Sequence, residues 1–330
     1  MTTIRRAIAV AAVLGTTAGT ALSGVSAQAA TDPYSSFVFT LGSSEPTIYN
    51  FINDATSSLN MTMYELADTT AVNDLIAREK AGVTVRVILD QAEKSTNTTA
   101  YNDLKAGGVG VVWSSTKFTY THQKTITING DESLILTGNL TSEYYSTTRD
   151  YGVFDTDAND VAAITAVFND DYTHTSITPS DGDNLLWSPT TAQSRLVTFI
   201  DGATKTLDIE EEEFSDTAVV NAIVARAKAG VKVRIVVEDP SDYSSEVSEV
   251  ESAGGTVVGY SSSTGFYMHA KAMVADYGLS TAAVEVGSMN DTSNSLGDNR
   301  ELGIILNDTG VESTVENAFT SDFAGGAPAS

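Results

Sequence analysis

The chain repeats itself. Residues 58–90 read SLNMTMYELADTTAVNDLIAREKAGVTVRVILD, and residues 206–238 read TLDIEEEEFSDTAVVNAIVARAKAGVKVRIVVE. They align without a gap at an offset of 148, with Leu59/Leu207, Glu65/Glu213, Asp68/Asp216, Arg78/Arg226 and Gly82/Gly230 coinciding. An internal repeat decides architecture before anything else, because the fold must then use one unit twice. Within each copy the pattern predicts strand, helix, strand. Residues 59–66 have strand length. Residues 70–81 carry Val72, Leu75 and Ile76 at helical spacing. Gly82 stands where a helix C-terminal glycine belongs, and VTVRVIL alternates with β-branched residues. A further helix opens each half, marked by Ile48, Phe51 and Ile52 in the first and Leu196, Phe199 and Ile200 in the second. The expected fold class is α/β: two homologous βαβ-containing halves with mixed, mostly parallel sheets flanked by helices. The halves should be related by a pseudo-twofold axis, with the site at their interface. TSITPSDGDN, between them, has linker composition, which divides the chain into halves 30–180 and 183–330.

Residues 1–29 read as a signal peptide. Arg5 and Arg6 form a positive n-region, Ala7 to Leu14 is an apolar run too short to span a bilayer, and Ala27-Gln28-Ala29 fits a cleavage site. The paired arginines are compatible with either general or twin-arginine export. The expected product is secreted and extracellular, beginning near Ala30. No cysteine is present, so disulfides, thiolate-bound zinc and thiol catalysis are excluded. Asp and Glu number 43 against 18 Lys and Arg, a formal net charge of −25. Such acidity repels polyanions and argues against nucleic acid as a partner.

The chemistry lies at matching places. Of three histidines, two recur in the repeat, as His122 and Lys124 in YTHQKTITINGD and as His269 and Lys271 in YMHAKAMVADYG. Each pair falls on a predicted strand, whose alternation would point His and Lys to one face. Next come Thr137-Gly138-Asn139-Leu140-Thr141 and Ser288-Met289-Asn290-Asp291-Thr292, then Arg149-Asp150 and Arg300-Glu301. Each half thus offers His, Lys, a hydroxyl, Asn and a carboxylate in the same order. These types suit phosphodiester chemistry. A neutral imidazole can attack phosphorus, and a second, protonated one can protonate the departing alkoxide. Lys124, Lys271, Asn139 and Asn290 can hold the non-bridging oxygens as charge builds. Thr137 and Ser288 are candidate substrate-binding hydroxyls. A carboxylate behind each imidazole, Asp150 or Glu301, fixes its tautomer and favours its cation. The lysines supply the positive charge, so no metal or other cofactor is expected.

In these residues the sequence resembles the phospholipase D superfamily, marked by His-x-Lys-x-x-x-x-Asp present twice, each followed by Gly-Ser-x-Asn. The second half matches with His269, Lys271 and Asp276, then Gly287-Ser288-Met289-Asn290. The first departs twice: Asn129 stands in place of the Asp, and Leu136 in place of the Gly. The resemblance implies a two-step reaction through a phosphohistidine, with His122 as nucleophile and His269 as acid. It also implies that Asp150 and Glu301 are the carboxylates on the catalytic imidazoles, and that Asp276 and Asn129 support the motif. Asn129 keeps a hydrogen bond there but not a charge, so activity should be weakened, not abolished. The expected activity is hydrolysis of the headgroup phosphodiester of a glycerophospholipid at a membrane or micelle surface, or transfer of the phosphatidyl group to an alcohol. No obligate protein partner is implied. The alternatives are a metal-independent nuclease of the same superfamily and a non-catalytic phosphodiester-binding relative.

His174 has no counterpart in the other half and reads as structural or exposed. The run Glu210 to Glu213 would place two carboxylates on each face of a strand. Such a run is usually a solvated edge. Bordering a cleft, it would attract a cationic, choline-like headgroup.

Overall fold

The computed structural model describes residues 32–330, which form one compact unit. The signal-peptide reading of residues 1–29 lies outside the described residues. Among the described residues no helix is long and apolar enough to cross a membrane.

The repeated segments fold as their pattern predicts. In the first copy, strand Ser58–Met63, helix Thr69–Lys80 and strand Thr84–Leu89 follow in order. In the second, Thr206–Glu211, Thr217–Lys228 and Lys232–Glu238 do the same. Both helices start on a repeated aspartate. Asp68 accepts from the backbone N–H of Thr70 and Ala71, and Asp216 from those of Ala218 and Val219. A cap of this kind stabilises a helix by about 1 kcal/mol. Both helices end at a left-handed glycine, Gly82 (φ 94°) and Gly230 (φ 90°), where a side chain would be strained.

Each half builds its own sheet. The first has seven strands in the order Tyr34–Val38, Tyr151–Asp155, Glu132–Leu136, Thr125–Ile128, Ser58–Met63, Thr84–Leu89, Gly110–Trp113. The second has eight, running Ala327–Pro328, Thr256–Tyr260, Lys232–Glu238, Thr206–Glu211, Lys271–Ala275, Ala283–Gly287, Glu301–Leu306, Leu185–Ser188. The sheets are mixed, as expected, but not mostly parallel. Within these two sheets, only the strands joined by the βαβ crossovers and the strand after each pair in parallel. The others pair antiparallel, because short turns such as Asn129-Gly130 join them and a short turn reverses the chain.

The helices of each repeat cover one face of their sheet, burying Leu59, Met61 and Leu75 in the first half and Leu207, Ile209 and Ile223 in the second. A third core joins the halves. It draws Ile135, Tyr151 and Ile164 from the first and Trp187, Val274 and Phe319 from the second.

Candidate active site

The two histidines do not lie on strands. His122 and Lys124 precede strand Thr125–Ile128, and His269 lies two residues before strand Lys271–Ala275. This corrects the strand placement. These approach segments are held by the opposite half. Arg300 O accepts from the N–H of His122 (2.9 Å) and of Gln123 (3.1 Å), and Arg300 N donates to Tyr120 O. Correspondingly, Tyr267–Met268 pairs in parallel with Thr148–Arg149. The arginine of each segment is anchored in the opposite half. The Arg300 guanidinium lies over the Phe118 ring and contributes Nε to an ion pair with Asp171 at 2.9 Å, across the halves, whereas Arg149 pairs with Asp322. Both arginines therefore bridge the halves, and neither neutralises Asp150 or Glu301.

That exchange produces crossed pairs. His122 Nδ1 lies 2.8 Å from Glu301 Oε2, and His269 Nδ1 lies 2.8 Å from Asp150 Oδ1. Each imidazole is oriented by a carboxylate of the other half, not of its own. His122 Nδ1 is also 3.1 Å from Ser288 O. Both neighbours are acceptors, so Nδ1 carries the proton and Nε2 keeps its lone pair in the neutral ring. The carboxylates are fully supported. Glu301 accepts from Ser288 Oγ (2.8 Å), Asn299 Nδ2 (3.0 Å) and Ser295 Oγ. Asp150 accepts from Thr137 Oγ1 (2.6 Å) and Thr148 Oγ1. Thr137 and Ser288 are therefore not substrate-binding hydroxyls. They are buried, and their hydroxyls are spent on Asp150 and Glu301.

Both imidazoles line one cavity of about 710 Å³, with Asn139, Asn290, Glu65, Glu213 and the rings of Tyr64 and Tyr267. Lys124 and Lys271 lie buried behind its wall, each donating Nζ to the carbonyl of its own motif histidine. Burial lowers the pKa of Lys124 to about 7, against the pull of Glu301. Burial, assisted by Lys124 and Lys271, also depresses His122 below its ordinary value although Glu301 opposes it. Burial works against the ionisation of Asp150 and Glu301, yet His269 and His122 respectively, with the surrounding hydrogen bonds, hold both below the usual range. The site thus contains a neutral imidazole at neutral pH beside two ionised carboxylates.

Asn129 and Asp276 lie away from this cavity, at the far ends of the strands that follow the histidines. Both adopt left-handed backbone (φ 55° and 53°). Asn129 Oδ1 accepts from the N–H and hydroxyl groups of Thr56 and Ser57. Asp276 accepts from Thr204, Lys205, Thr206 and Thr281. Both fasten the turn that enters the first strand of the repeat, and one amide oxygen suffices in the first half. The second departure, Leu136, is compensated locally. A Cβ on Gly303 would meet the Met289 side chain at 2.5 Å, while the equivalent Gly152 faces Leu136. Leu136 with Gly138 and Gly287 with Met289 are the same large–small pair with its members exchanged.

His174 is exposed, with Nε2 2.9 Å from Trp113 O. The glutamate run is not a solvated edge. Glu210 and Glu211 are buried within the strand, and Glu212 and Glu213 follow it onto the cavity wall. Glu212 takes the repeat position of Tyr64. It accepts from Lys271 Nζ at 2.7 Å, from Asn290 Nδ2 at 3.4 Å and from the Tyr267 hydroxyl, and it lies 3.6 Å from His269 Nε2. Sequence reasoning gave it only the headgroup-attracting role of the run as a whole, not a contact with Lys271 and His269. The signal was the one column of the repeat in which an aromatic residue opposes a carboxylate.

Paired α/β halves that bring two carboxylate-oriented imidazoles to one cavity define a phosphodiester-handling domain. Residues 48–172 and 196–323 match the family model described as cardiolipin synthase, PLD-like domain, and the chain belongs to this family within the phospholipase D superfamily. No curated protein matches the chain at a significant level. Among solved structures, the chain is similar to phosphatidylserine synthase of Haemophilus influenzae Rd KW20, with a TM-score of 0.67 and 14% identity over 87% of this chain and 86% of that one. It is similar also to polyphosphate kinase from Porphyromonas gingivalis, with a TM-score of 0.67 and 14% identity over 87% of this chain and 50% of the kinase. The chain spans half of the kinase's length, and at this identity the likeness is one of fold.

Proposed function

We propose that the protein is a phospholipase D-type enzyme that hydrolyses the headgroup phosphodiester of glycerophospholipids. The observation that carries this reading is the crossed pair of imidazoles opening onto one cavity. His122 Nε2 attacks phosphorus, a P–N bond forms, and the P–O bond to the headgroup breaks. The departing alkoxide takes a proton from His269, whose Nε2 faces Glu212 and suits an N–H donor there. Neutral His269 then removes a proton from water as it attacks the phosphohistidine, releasing phosphatidate and restoring His122. An alcohol in place of water would receive the phosphatidyl group instead. Lys124 and Lys271, behind the two rings, offset the charge that builds on the phosphate oxygens.

The charge of the cavity wall supports the reading of a cationic headgroup. Glu213, Glu238, Asp239 and Asp242 lie on it with Tyr243 and Phe266. Carboxylates and aromatic faces both attract an ammonium group, whereas they repel a polynucleotide. Purified protein should release choline from phosphatidylcholine micelles in EDTA and leave plasmid DNA intact. DNA nicking without lipid turnover would reverse the assignment in favour of a nuclease. We propose further that residues 1–29 direct export. Protein recovered from the culture medium should begin at or beside Ala30, and an intact Met1 there would overturn this.

A further inference from the structure

The two halves differ where they should be most alike. In the first, the repeat position beside the His-x-Lys pair is Tyr64, whose ring meets His122 edge-on with centroids 4.5 Å apart, and whose hydroxyl donates to Glu93. The Lys124 ammonium lies over that ring and, among the described residues, has no carboxylate within ion-pair distance. In the second, Glu212 is in direct contact with Lys271, Asn290 and Tyr267 and lies close to His269. Lys271 and Asn290 are the donors that the sequence pattern assigns to the non-bridging phosphate oxygens, and His269 is the donor that the proposed reaction assigns to the departing oxygen. A carboxylate is planar and monoanionic, and it satisfies the same donors as one edge of a phosphate diester.

We propose that Glu212 is a resident anion that occupies the phosphate-oxygen position of the second half and must be displaced by the substrate, so that it sets the threshold for oxyanion entry. This rests on the reading of the cavity as a phosphodiester site. Three further observations support it. Glu212 follows the last residue of its strand, so its side chain is set by a loop and not by the sheet ladder. It lines the cavity and is within reach of an entering ligand. Although burial opposes its ionisation, Lys271, His269 and the Tyr267 hydroxyl hold it far below the usual carboxylate range, so it competes as an anion at any working pH. An entering phosphate replaces one anion on Lys271 by another, and its binding is correspondingly weakened. When displaced, the carboxylate retains the Tyr267 hydroxyl as a partner on its other oxygen.

The test is calorimetric binding of tungstate and of inorganic phosphate to the purified full chain, with folding checked by circular dichroism. Glu212→Gln keeps the shape and removes the charge, and it should tighten both oxyanions about tenfold or more. Tyr267→Phe removes the hydroxyl that helps to hold Glu212 and should give a smaller gain in the same direction. It serves as the readout if Glu212→Gln does not fold. Tyr64→Glu, which installs the resident anion in the first half, should weaken binding. Equal or weaker oxyanion binding in Glu212→Gln, with measurable binding by the wild type, would overturn the proposal and leave the phosphodiester site standing. Absence of binding in every variant would overturn both.

Discussion

The two halves share a backbone plan but divide its burdens unequally. Around the first imidazole the supporting positions are apolar: Met63, Leu134 and Leu140 are buried in the first-half core. Around the second, the equivalent positions are Glu211, Glu285 and Asp291, all buried. Burial pushes each of these three carboxyls well above the usual range, with like charges nearby adding to the effect. Asp291 presents two buried side-chain oxygens without a hydrogen-bond partner. The first half thus resembles an ordinary hydrophobic core carrying one imidazole, and the second a core loaded with polar groups around the other. Duplication fixes where the histidines fall. It does not fix the environment in which each lies, and the proposed division into nucleophile and acid rests on that difference.

The strongest way to break this comparison is to remove each imidazole. His122→Ala and His269→Ala should each lower turnover of a lipid diester by about 10³-fold or more. They should part on a p-nitrophenyl diester, whose leaving group needs no proton. There His269→Ala should still release a first burst of about one p-nitrophenolate per chain before stalling at the phosphohistidine, and His122→Ala should release none. An equal burst in both variants would dissolve the division of roles. Next come the crossed carboxylates. Glu301→Gln should behave like loss of His122, and Asp150→Asn like loss of His269, each by about 10²-fold or more. The pattern expected if each carboxylate served its own half would be the reverse.

A pH series sharpens the comparison further. Lys124, with its pKa lowered to about 7, loses its proton far below the ordinary 10.5. The kcat/KM profile should therefore fall above about pH 7, and Lys124→Arg, which does not titrate, should shift that fall to higher pH. Stability moves the other way. Between pH 7 and 10.5 the unfolded chain binds more protons at this residue than the folded one, so the Lys124 contribution to stability rises with pH. An unchanged alkaline limb in Lys124→Arg would remove Lys124 from the reaction. The smallest effect concerns the polar core. Asp291→Leu, which borrows the residue of the first half, should stabilise the fold by about 1–3 kcal/mol in urea denaturation. Folded Asp291 keeps a proton that the unfolded chain releases above its ordinary 3.8. The wild-type penalty therefore grows as pH rises, and the gain should be larger at pH 8 than at pH 4. A loss of stability would show that Asp291 has a partner.

Much of this was legible in the sequence, and what was not has a physical reason. The repeat gave both βαβ units to within a few residues, because helical periodicity, the Asp caps and Gly82 and Gly230 are local signals. His122, His269, Asn139, Asn290, Asp150 and Glu301 were named from order alone, and the structure brings all six to one place. Their pairing was not legible. The Arg300 and Thr148–Arg149 segments hold the opposite half's histidine through main-chain contacts, which leave no mark on side-chain pattern. Strand alternation misplaced His122 and His269 because the ladder starts only after them. Thr137 and Ser288 were assigned to substrate because a hydroxyl beside an asparagine suits either task; only the 2.6 Å and 2.8 Å contacts to Asp150 and Glu301 decide it. Parallel pairing was overestimated because the βαβ segments carry the strongest pattern, while the shorter antiparallel strands that outnumber them carry a weaker one.

The claim beneath all of this is that two imidazoles from opposite halves act in turn on a single phosphorus atom. Rapid-quench labelling with a diester carrying ³²P, followed by peptide mapping, addresses it directly. The account predicts one labelled histidine per chain, His122, with label persisting longest in His269→Ala and absent in His122→Ala. Label shared equally by His122 and His269, or half of the activity surviving in each single variant, would mean two independent sites and would contradict it.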